Sequence, residues 1–158
     1  MTTFSTSTRS SAVVTAPPQQ VWAAITDTDT LARLTPFLSR VIDWDEHWVW
    51  EMTKVPVLGK SFSFTFTERM TFDEPRRMEF VHDPAAADDT EIAGVEGWYD
   101  LSESPDGTRL ETQMTISVDL PFPRLARSGV EAGMKGVVAL MGQRFAQNLL
   151  QHLDARTT

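Results

Sequence analysis

The clearest periodic pattern in the chain is an alternation of residue types between positions 62 and 72. One phase carries Phe62, Phe64, Phe66, Glu68, Met70 and Phe72, and the other carries Ser63, Thr65, Thr67, Arg69 and Thr71. Because successive side chains of a β-strand point to opposite faces, a period of two predicts a strand with one apolar face. Glu68 stands in the apolar phase, so it is the first candidate for chemistry.

Six other segments have the composition or alternation of strands. They cover residues 4–15, 41–44, 47–53, 77–82, 92–101 and 108–120, with connections at 55–59 and 83–90. In the last strand the residues predicted to face the core are Leu110, Thr112, Met114, Ile116 and Val118. If Leu101 pairs with Leu110 across the preceding turn, Tyr99 also faces inward and Trp98 faces outward. A bulge at Gly97 would reverse part of this assignment.

A different period, that of an α-helix, governs the end of the chain between residues 129 and 153. One helical face collects Val130, Met134, Val137, Val138, Met141, Phe145 and Leu149, and the opposite side carries Gln143, Gln147 and Gln151. Such a helix is about 38 Å long. Ser128 and Glu131 are spaced as a capping box that would start it. Residues 18–26 and 27–34 predict two short helices, begun by Pro18 and by Asp27 or Thr28.

The predicted order is therefore strand, two short helices, six strands and one long helix. It describes an α+β fold in which helices cover one side of an antiparallel sheet. No repeat or linker divides residues 1–158, so we predict a single domain. A curved sheet gripping one long helix is not filled everywhere by side chains, and this geometry favours a cavity between them. We expect the first half of the helix to form an adjustable wall and the second half to anchor it.

Composition narrows the function by excluding classes of partner. The chain has 158 residues, 41% of them hydrophobic, and a net charge of −8. Between Asp73 and Glu111 there are 12 acidic and three basic residues, which argues against nucleic-acid binding. There is no cysteine and no apolar run as long as a membrane span. Residues 1–11 lack a signal-peptide core, and together these features predict a cytoplasmic protein.

No motif for a metal or cofactor occurs. His47, His82 and His152 lack the spacing of metal ligands, and the chain has no H-E-x-x-H, no G-x-S-x-G, no P-loop and no dinucleotide fingerprint. We therefore predict neither a metal nor a cofactor, and find no support for a hydrolase, kinase or dehydrogenase. Gly133 and Gly136 in the long helix would leave room for a loop, for a second subunit of a homodimer, or for a bend.

Three segments resemble the START-like helix-grip superfamily, which includes the polyketide cyclase/dehydrase family and the plant pollen-allergen fold. Residues 13–27 read VVTAPPQQVWAAITD, similar to the opening motif P-x-x-x-V-W-x-x-(I/L)-x-D. Residues 97–101 and 107–110 resemble the penultimate hairpin, and residues 145–153 the end of the last helix. The resemblance implies a seven-stranded antiparallel sheet around a hydrophobic cavity. It does not imply one activity, because members bind lipids, hormones or polyketides, cyclise polyketides, or act as chaperone cofactors.

The candidate ligand-binding residues are those whose pattern turns them toward this cavity. They are Phe62, Phe64, Phe66, Met70, Phe80 and Met114 on the strands, and Met134, Val138 and Met141 on the helix. Each of them could equally be plain core packing. Methionine fills irregular gaps, as a pocket for variable ligands requires.

Three polar residues are candidates for catalysis or for orienting a ligand: Glu68, His82 and Tyr99. A buried Glu68 would have a raised pKa and could serve as an acid or base, whereas a Glu68 at the rim would be an ordinary surface residue. His82 shares the inward phase of its strand and could be a general base or a satisfied structural histidine. Tyr99, the single tyrosine, could hydrogen-bond a ligand.

The leading hypothesis is a protein that binds a small hydrophobic molecule, lipid- or polyketide-like. The second is a polyketide cyclase or aromatase that uses the same cavity, with Glu68, His82 or Tyr99 moving protons. The third is a chaperone-cofactor-like module that binds proteins through the outer face of the sheet.

Overall fold

The computed structural model describes residues 1–84 and 90–158. Seven strands form one antiparallel sheet in the order β1-β7-β6-β5-β4-β3-β2. The strands are β1 (Thr2–Val14), β2 (Leu38–Trp44), β3 (His47–Val57), β4 (Lys60–Asp73), β5 (Arg77–His82), β6 (Ala93–Ser104) and β7 (Gly107–Leu120). Two short helices, α1 (Pro18–Ile25) and α2 (Thr28–Leu34), follow β1, and a long helix, α3 (Arg127–Leu153), ends the fold. The α+β helix-grip prediction is confirmed. Most of the connection predicted at 83–90 lies outside the described residues.

The β6–β7 hairpin has the register that the sequence predicted. Leu101 is opposite Leu110, Tyr99 opposite Thr112, and the pairing continues without a break past Gly97. Tyr99 therefore faces the helices, and no bulge reverses the strand. A Cβ atom at Gly97 would collide with the carbonyl oxygen of the facing strand. This close approach explains why a glycine stands there.

The strand β3 is longer than predicted. Residues 55–57, expected to form a connection, continue the strand after an irregularity between Met52 and Val55. The pairing of β2 with β3 ends where Leu38 meets Met52, so Pro56 has no ladder partner on that side. A proline is tolerated in such an edge segment, since no neighbouring strand needs its missing N–H.

The start of α3 is the main error of the sequence analysis. The helix begins at Arg127, directly after a 3-10 turn (Arg124–Ala126), and its N-cap Ala126 makes no side-chain hydrogen bond. The predicted capping box is therefore wrong, because the turn places Ser128 inside the helix. The Glu131 carboxylate instead accepts a hydrogen bond from the backbone N–H of Ser5 at 3.0 Å. That bond ties α3 to the edge strand β1.

The long helix packs tightly near its two ends. Val130 and Met134 near its start and Leu149 near its end are buried. Between them Val137, Val138, Met141 and Phe145 are half-buried. On the opposite side of the helix Gln143, Gln147 and Gln151 are exposed. The predicted burial of Leu149 is confirmed. The expected division into an open first half and a fixed second half needs correction, because the open part is the middle of the helix.

The glycines of α3 have different surroundings. Gly133 faces the β3–β4 turn, where the side chain of Leu58 would be 3.6 Å from an added Cβ. Gly136 has no atom within 4 Å of that position among the described residues. An added Cβ at Gly133 would make only ordinary van der Waals contact, so close approach of a loop requires a glycine at neither position. None of the described helices is long and apolar enough to cross a membrane.

Candidate functional site

The inner face of the sheet and the facing side of α3 bring the predicted ligand-binding residues to one side of the molecule. Phe66, Met70, Phe80 and Met134 are buried, and Phe62, Phe64, Met114 and Met141 are half-buried and packed against the core. Val138 is also half-buried, but its neighbour Val137 is the residue that packs on the core. Alternation along the strands and the helical period explain the shared orientation.

The middle of this interior is less fully buried than the contacts at the two ends of α3. Eight inward-facing apolar or aromatic residues of β6, β7 and α3 remain only half-buried: Val95, Tyr99, Leu110, Met114, Ile116, Val137, Met141 and Phe145. Side chains between a sheet and a helix would be fully buried if the two layers were in close contact. The backbone of α3 approaches β1 and β3 most closely. The helix α3 therefore packs less closely on the central strands than on β1 and β3.

Glu68 lies in the core and not at the rim. Only 1% of the residue is exposed, and in the sheet it is opposite Trp48 on β3 and His82 on β5. Burial raises the pKa of the Glu68 carboxyl well above its ordinary value, an effect that the nearby Trp50 indole partly opposes. Burial of this kind favours the neutral, protonated form of the carboxyl over the carboxylate.

Trp50 contributes the second unusual polar group of the interior. Its indole ring stacks on Phe66, with centroids 5.9 Å apart and planes 7° from parallel. Its Nε1 atom is buried without a hydrogen-bond partner of normal geometry within the described part of the chain. The indole N–H is thus near enough to Glu68 to lower the pKa of its carboxyl, although the two groups do not form a hydrogen bond of normal geometry. An unsatisfied buried donor is costly, so a bound ligand could satisfy it.

Tyr99 faces the same interior from β6. Its ring contacts that of Phe80, with centroids 6.1 Å apart. Burial of the hydroxyl raises the pKa of Tyr99 to about 12; the neighbouring Thr112 hydroxyl lowers it, and the charge of Glu68 raises it further. The phenol is therefore neutral at physiological pH. Its electrostatic interaction with Glu68 shows that these two candidates share one environment.

His82, the third candidate, is directed elsewhere. Its Nε2 is 2.9 Å from the carboxylate of Glu91, and its ring lies against Gly94. The pairing of β5 with β6 ends where Phe80 meets Gly97, so the last residue of β5 is free to turn. The imidazole lines a cavity of about 270 Å³ on the outer face of the sheet. His82 therefore does not form one cluster with Glu68 and Tyr99.

Glu91 was not predicted as a functional residue, but in the structure its buried carboxylate forms hydrogen bonds with two neighbouring strands. Its side chain is 6% exposed. Its carboxylate accepts hydrogen bonds from the backbone N–H of Thr67 at 2.8 Å and from the Thr67 hydroxyl at 2.6 Å. Glu91 thereby joins β4 to the end of β5 through His82. A single carboxylate beside a polar loop carries no pattern that could have revealed this role.

The outer face of the sheet is largely polar where β1, β7 and β6 adjoin. Ser5 pairs with Ser117 through their hydroxyls at 2.8 Å, and Ser7 pairs with Thr115 at 3.0 Å. Trp98 also faces outward, as predicted, with the guanidinium of Arg77 5.0 Å from its ring centroid. The protein-binding hypothesis expected an exposed apolar patch on this face. The hydroxyl pairs of β1 and β7 do not provide one.

No cation site is evident. Within residues 1–84 and 90–158, no group of three or more His, Asp or Glu side chains could hold a metal ion. The interior contains one carboxyl and one phenol, which is too few ligands for a protein metal centre. The interior is apolar and aromatic, and it contains three groups that can form hydrogen bonds, from Glu68, Trp50 and Tyr99.

Solved structures with this fold were found at low sequence identity. The di-domain ARO/CYC StfQ from the steffimycin biosynthetic pathway superposes with a TM-score of 0.67 at 9% identity, covering 96% of this chain and 51% of that one. This chain thus spans about half the length of that protein. The protein TTHA0849 from Thermus thermophilus gives 0.67 at 18% identity over 93% and 99% of the two chains. A START superfamily protein from Mycobacterium smegmatis gives 0.63 at 12% identity over 95% and 97%.

Structural similarity at such low sequence identity shows that the fold is shared, but it does not show a shared function. A search of curated proteins gave no match. A sequence-family model described as polyketide cyclase / dehydrase and lipid transport matches residues 5–155, nearly the whole chain. The chain belongs to the polyketide cyclase/dehydrase and lipid transport family.

Proposed function

We propose that this protein binds a small hydrophobic molecule, lipid- or polyketide-like in its apolar body, between the sheet and α3. One observation carries the proposal: inward-facing side chains of β6, β7 and α3 remain half-buried although both ends of the helix are packed. Apolar surface left open in this way favours a ligand, because burying it stabilises a complex by about 25 cal/mol per Å². Membership of a family described by polyketide and lipid ligands supports the same conclusion.

The walls and the polar groups have different roles in this proposal. Phe66, Phe80, Met114 and Met141 supply apolar contact, and the two methionines can adapt to the ligand's shape. Glu68, Trp50 and Tyr99 supply directional contacts that orient it. Binding sites of this kind are mostly apolar with a few placed polar groups.

The test is a thermal-shift and native mass-spectrometry screen of lipids and aromatic polyketides, with two matched tryptophan variants. Met141→Trp adds bulk to the inner face of α3, whereas Gln143→Trp adds the same bulk to the exposed side of that helix. We expect ligands to stabilise the wild type and Gln143→Trp, and to lose their effect on Met141→Trp. Ligands that stabilise all three proteins equally would show that binding occurs elsewhere.

A second candidate function is cyclisation or aromatisation of a poly-β-ketone. The shared interior of Glu68 and Tyr99 favours it, since a protonated carboxyl can deliver a proton to a ketone oxygen during aldol closure and dehydration. The phenol would hold a second carbonyl by a hydrogen bond and fix the folded chain.

Turnover of a synthetic poly-β-ketone separates the enzyme from the carrier. If the protein is a cyclase, Glu68→Gln lowers kcat by about 100-fold, the lower bound for loss of a general acid. Tyr99→Phe then alters the product distribution. If the protein is a carrier, the wild type leaves product formation at the rate of the uncatalysed reaction while still binding the chain.

A further inference from the structure

The interior around Glu68 is lined by aromatic rings. Trp48 is directly opposite Glu68 on β3, and Phe66 is two residues away on the same face of β4. Trp50, opposite Phe66, and Phe80, opposite Met70, are the diagonal neighbours. Diagonal neighbours on one sheet face are within reach of large side chains. One carboxyl is therefore surrounded by four aromatic residues.

No cationic side chain of the described residues is buried with this carboxyl. Every described Lys and Arg is at least partly exposed, and Lys60, in the same phase at the start of β4, lies over the ring of Phe122. His82 is opposite Glu68 in the sheet, but its imidazole bonds Glu91. Residues 85–89, which the structure does not describe, contain no basic residue. A buried carboxyl without a cation is favoured in its neutral form, so a ligand that brings a cation would be the partner that holds Glu68 as a carboxylate.

We propose that the ligand in this space carries a basic nitrogen, which meets the Glu68 carboxylate as an ammonium group against the aromatic rings. This inference rests on the proposed function and specifies the polar group of the ligand. An ammonium group supplies the missing counter-charge, and the faces of Trp48, Trp50 and Phe80 stabilise a cation further. The Nε1–H of Trp50, which already lies near Glu68, can then donate to the carboxylate.

The same arrangement disfavours acidic ligands. A carboxylate head group, such as that of a free fatty acid, would bring a second negative charge beside Glu68 with no buried Arg or Lys of the described chain to neutralise it. The net charge of −8 also favours the approach of cations over anions. The ligand predicted here is thus an apolar or aromatic amine.

When the amine binds, the proton balance is simple. Glu68 releases its proton to solvent, and the carboxylate left behind forms an ion pair with the ammonium group. A neutral alcohol of the same shape binds without this release. Tyr99 and His82 are the other titratable groups near the site, and both are present for either ligand, so the difference between the ligands isolates Glu68.

Three matched probes test the proposal: naphthylmethylamine, naphthalenemethanol and naphthoic acid, which differ mainly in the charge of one substituent. Titration calorimetry at neutral pH gives each Kd, and repeating it in buffers of different ionisation enthalpy gives the protons released. We expect the amine to bind the wild type at least about tenfold more tightly than the alcohol. We expect the acid to bind most weakly.

Glu68→Gln should lower the affinity for the amine far more than the affinity for the alcohol, and so remove the preference for the amine. Glu103→Gln, an exposed site on β6, removes the same charge and should keep the preference. An alcohol that binds as tightly as the amine, or a preference that survives Glu68→Gln, would overturn the ammonium proposal while leaving the hydrophobic site intact. If none of the three probes binds and no ligand of the wider screen does, the proposed function itself fails.

Discussion

Replacing Glu68 by glutamine should stabilise the folded protein, and the gain should increase as the pH rises. The carboxyl is buried, and burial raises its pKa well above the ordinary value of 4.5 that it regains on unfolding. Between these two pKa values the folded state holds a proton that the unfolded state has released. Stability therefore falls with rising pH across this window, by up to about 1.4 kcal/mol per pH unit.

Glutamine has nearly the same shape as glutamate and cannot ionise. The stability of the variant therefore does not fall with rising pH for this reason. The free energy of unfolding of Glu68→Gln minus that of the wild type should be smallest near pH 4.5. It should then grow by up to about 1.4 kcal/mol per pH unit until the wild-type carboxyl ionises in the folded state. Urea unfolding monitored by tryptophan fluorescence at several pH values measures both free energies. Subtracting the wild-type free energy of unfolding from that of the variant cancels the contributions of the other titrating groups.

Glu103→Gln serves as the control for the loss of one negative charge at an exposed position. A difference for Glu68→Gln that does not change with pH would refute the argument that burial controls this carboxyl. So would a slope of the opposite sign, which would mean that the folded state holds Glu68 as a stabilised carboxylate.

Four further predictions rest on local geometry. Gly97→Ala should lower the free energy of unfolding by about 1–3 kcal/mol, because the new methyl group collides with the backbone of β7. Gly136→Ala, with open space around it among the described residues, should raise that free energy by up to about 1 kcal/mol through helix propensity alone; denaturation curves of the pair test both signs. Asp27→Ala removes the carboxylate that accepts from the backbone N–H of Asp29 at 3.1 Å, and should cost about 1 kcal/mol in the same assay. Tyr99 is the single tyrosine, so the ultraviolet absorbance of tyrosinate reports on this residue alone. The absorbance should appear with a midpoint at a pH of about 12 in the folded chain and at the ordinary tyrosine pKa of about 10 in urea. Equal midpoints in the two states would contradict the burial of Tyr99.

The sequence was most informative where one period continues over many residues. The alternation of β4 predicted the inward phase of Phe66, Glu68 and Met70, and the Leu101–Leu110 pairing correctly oriented Tyr99. Both results depend on local rules, since a strand with one apolar face has a single acceptable register. The amphipathic period of α3 also identified which of its sides faces the sheet.

The errors arose where contacts between distant segments decide the outcome. The start of α3 depends on a 3-10 turn and on the bond from Ser5 to Glu131, which are separated by most of the chain. The direction of His82 depends on where β5 leaves β6 and on the space above Gly94. A single sequence does not encode these distances in a readable pattern. The capping box was therefore a reasonable expectation, and no local signal showed that His82 is directed away from Glu68 and Tyr99.

The central claim is that a ligand enters the space between α3 and the central strands. Nuclear magnetic resonance of the protein with isotope-labelled methionine methyl groups tests it directly, because the chain's 7 methionines give few and assignable signals. On addition of naphthylmethylamine, or of any ligand found by the screen, the methyl signals of Met114 and Met141 should shift, while that of Met1, which is 79% exposed, should not. A bound ligand that leaves both Met114 and Met141 unchanged would contradict the account.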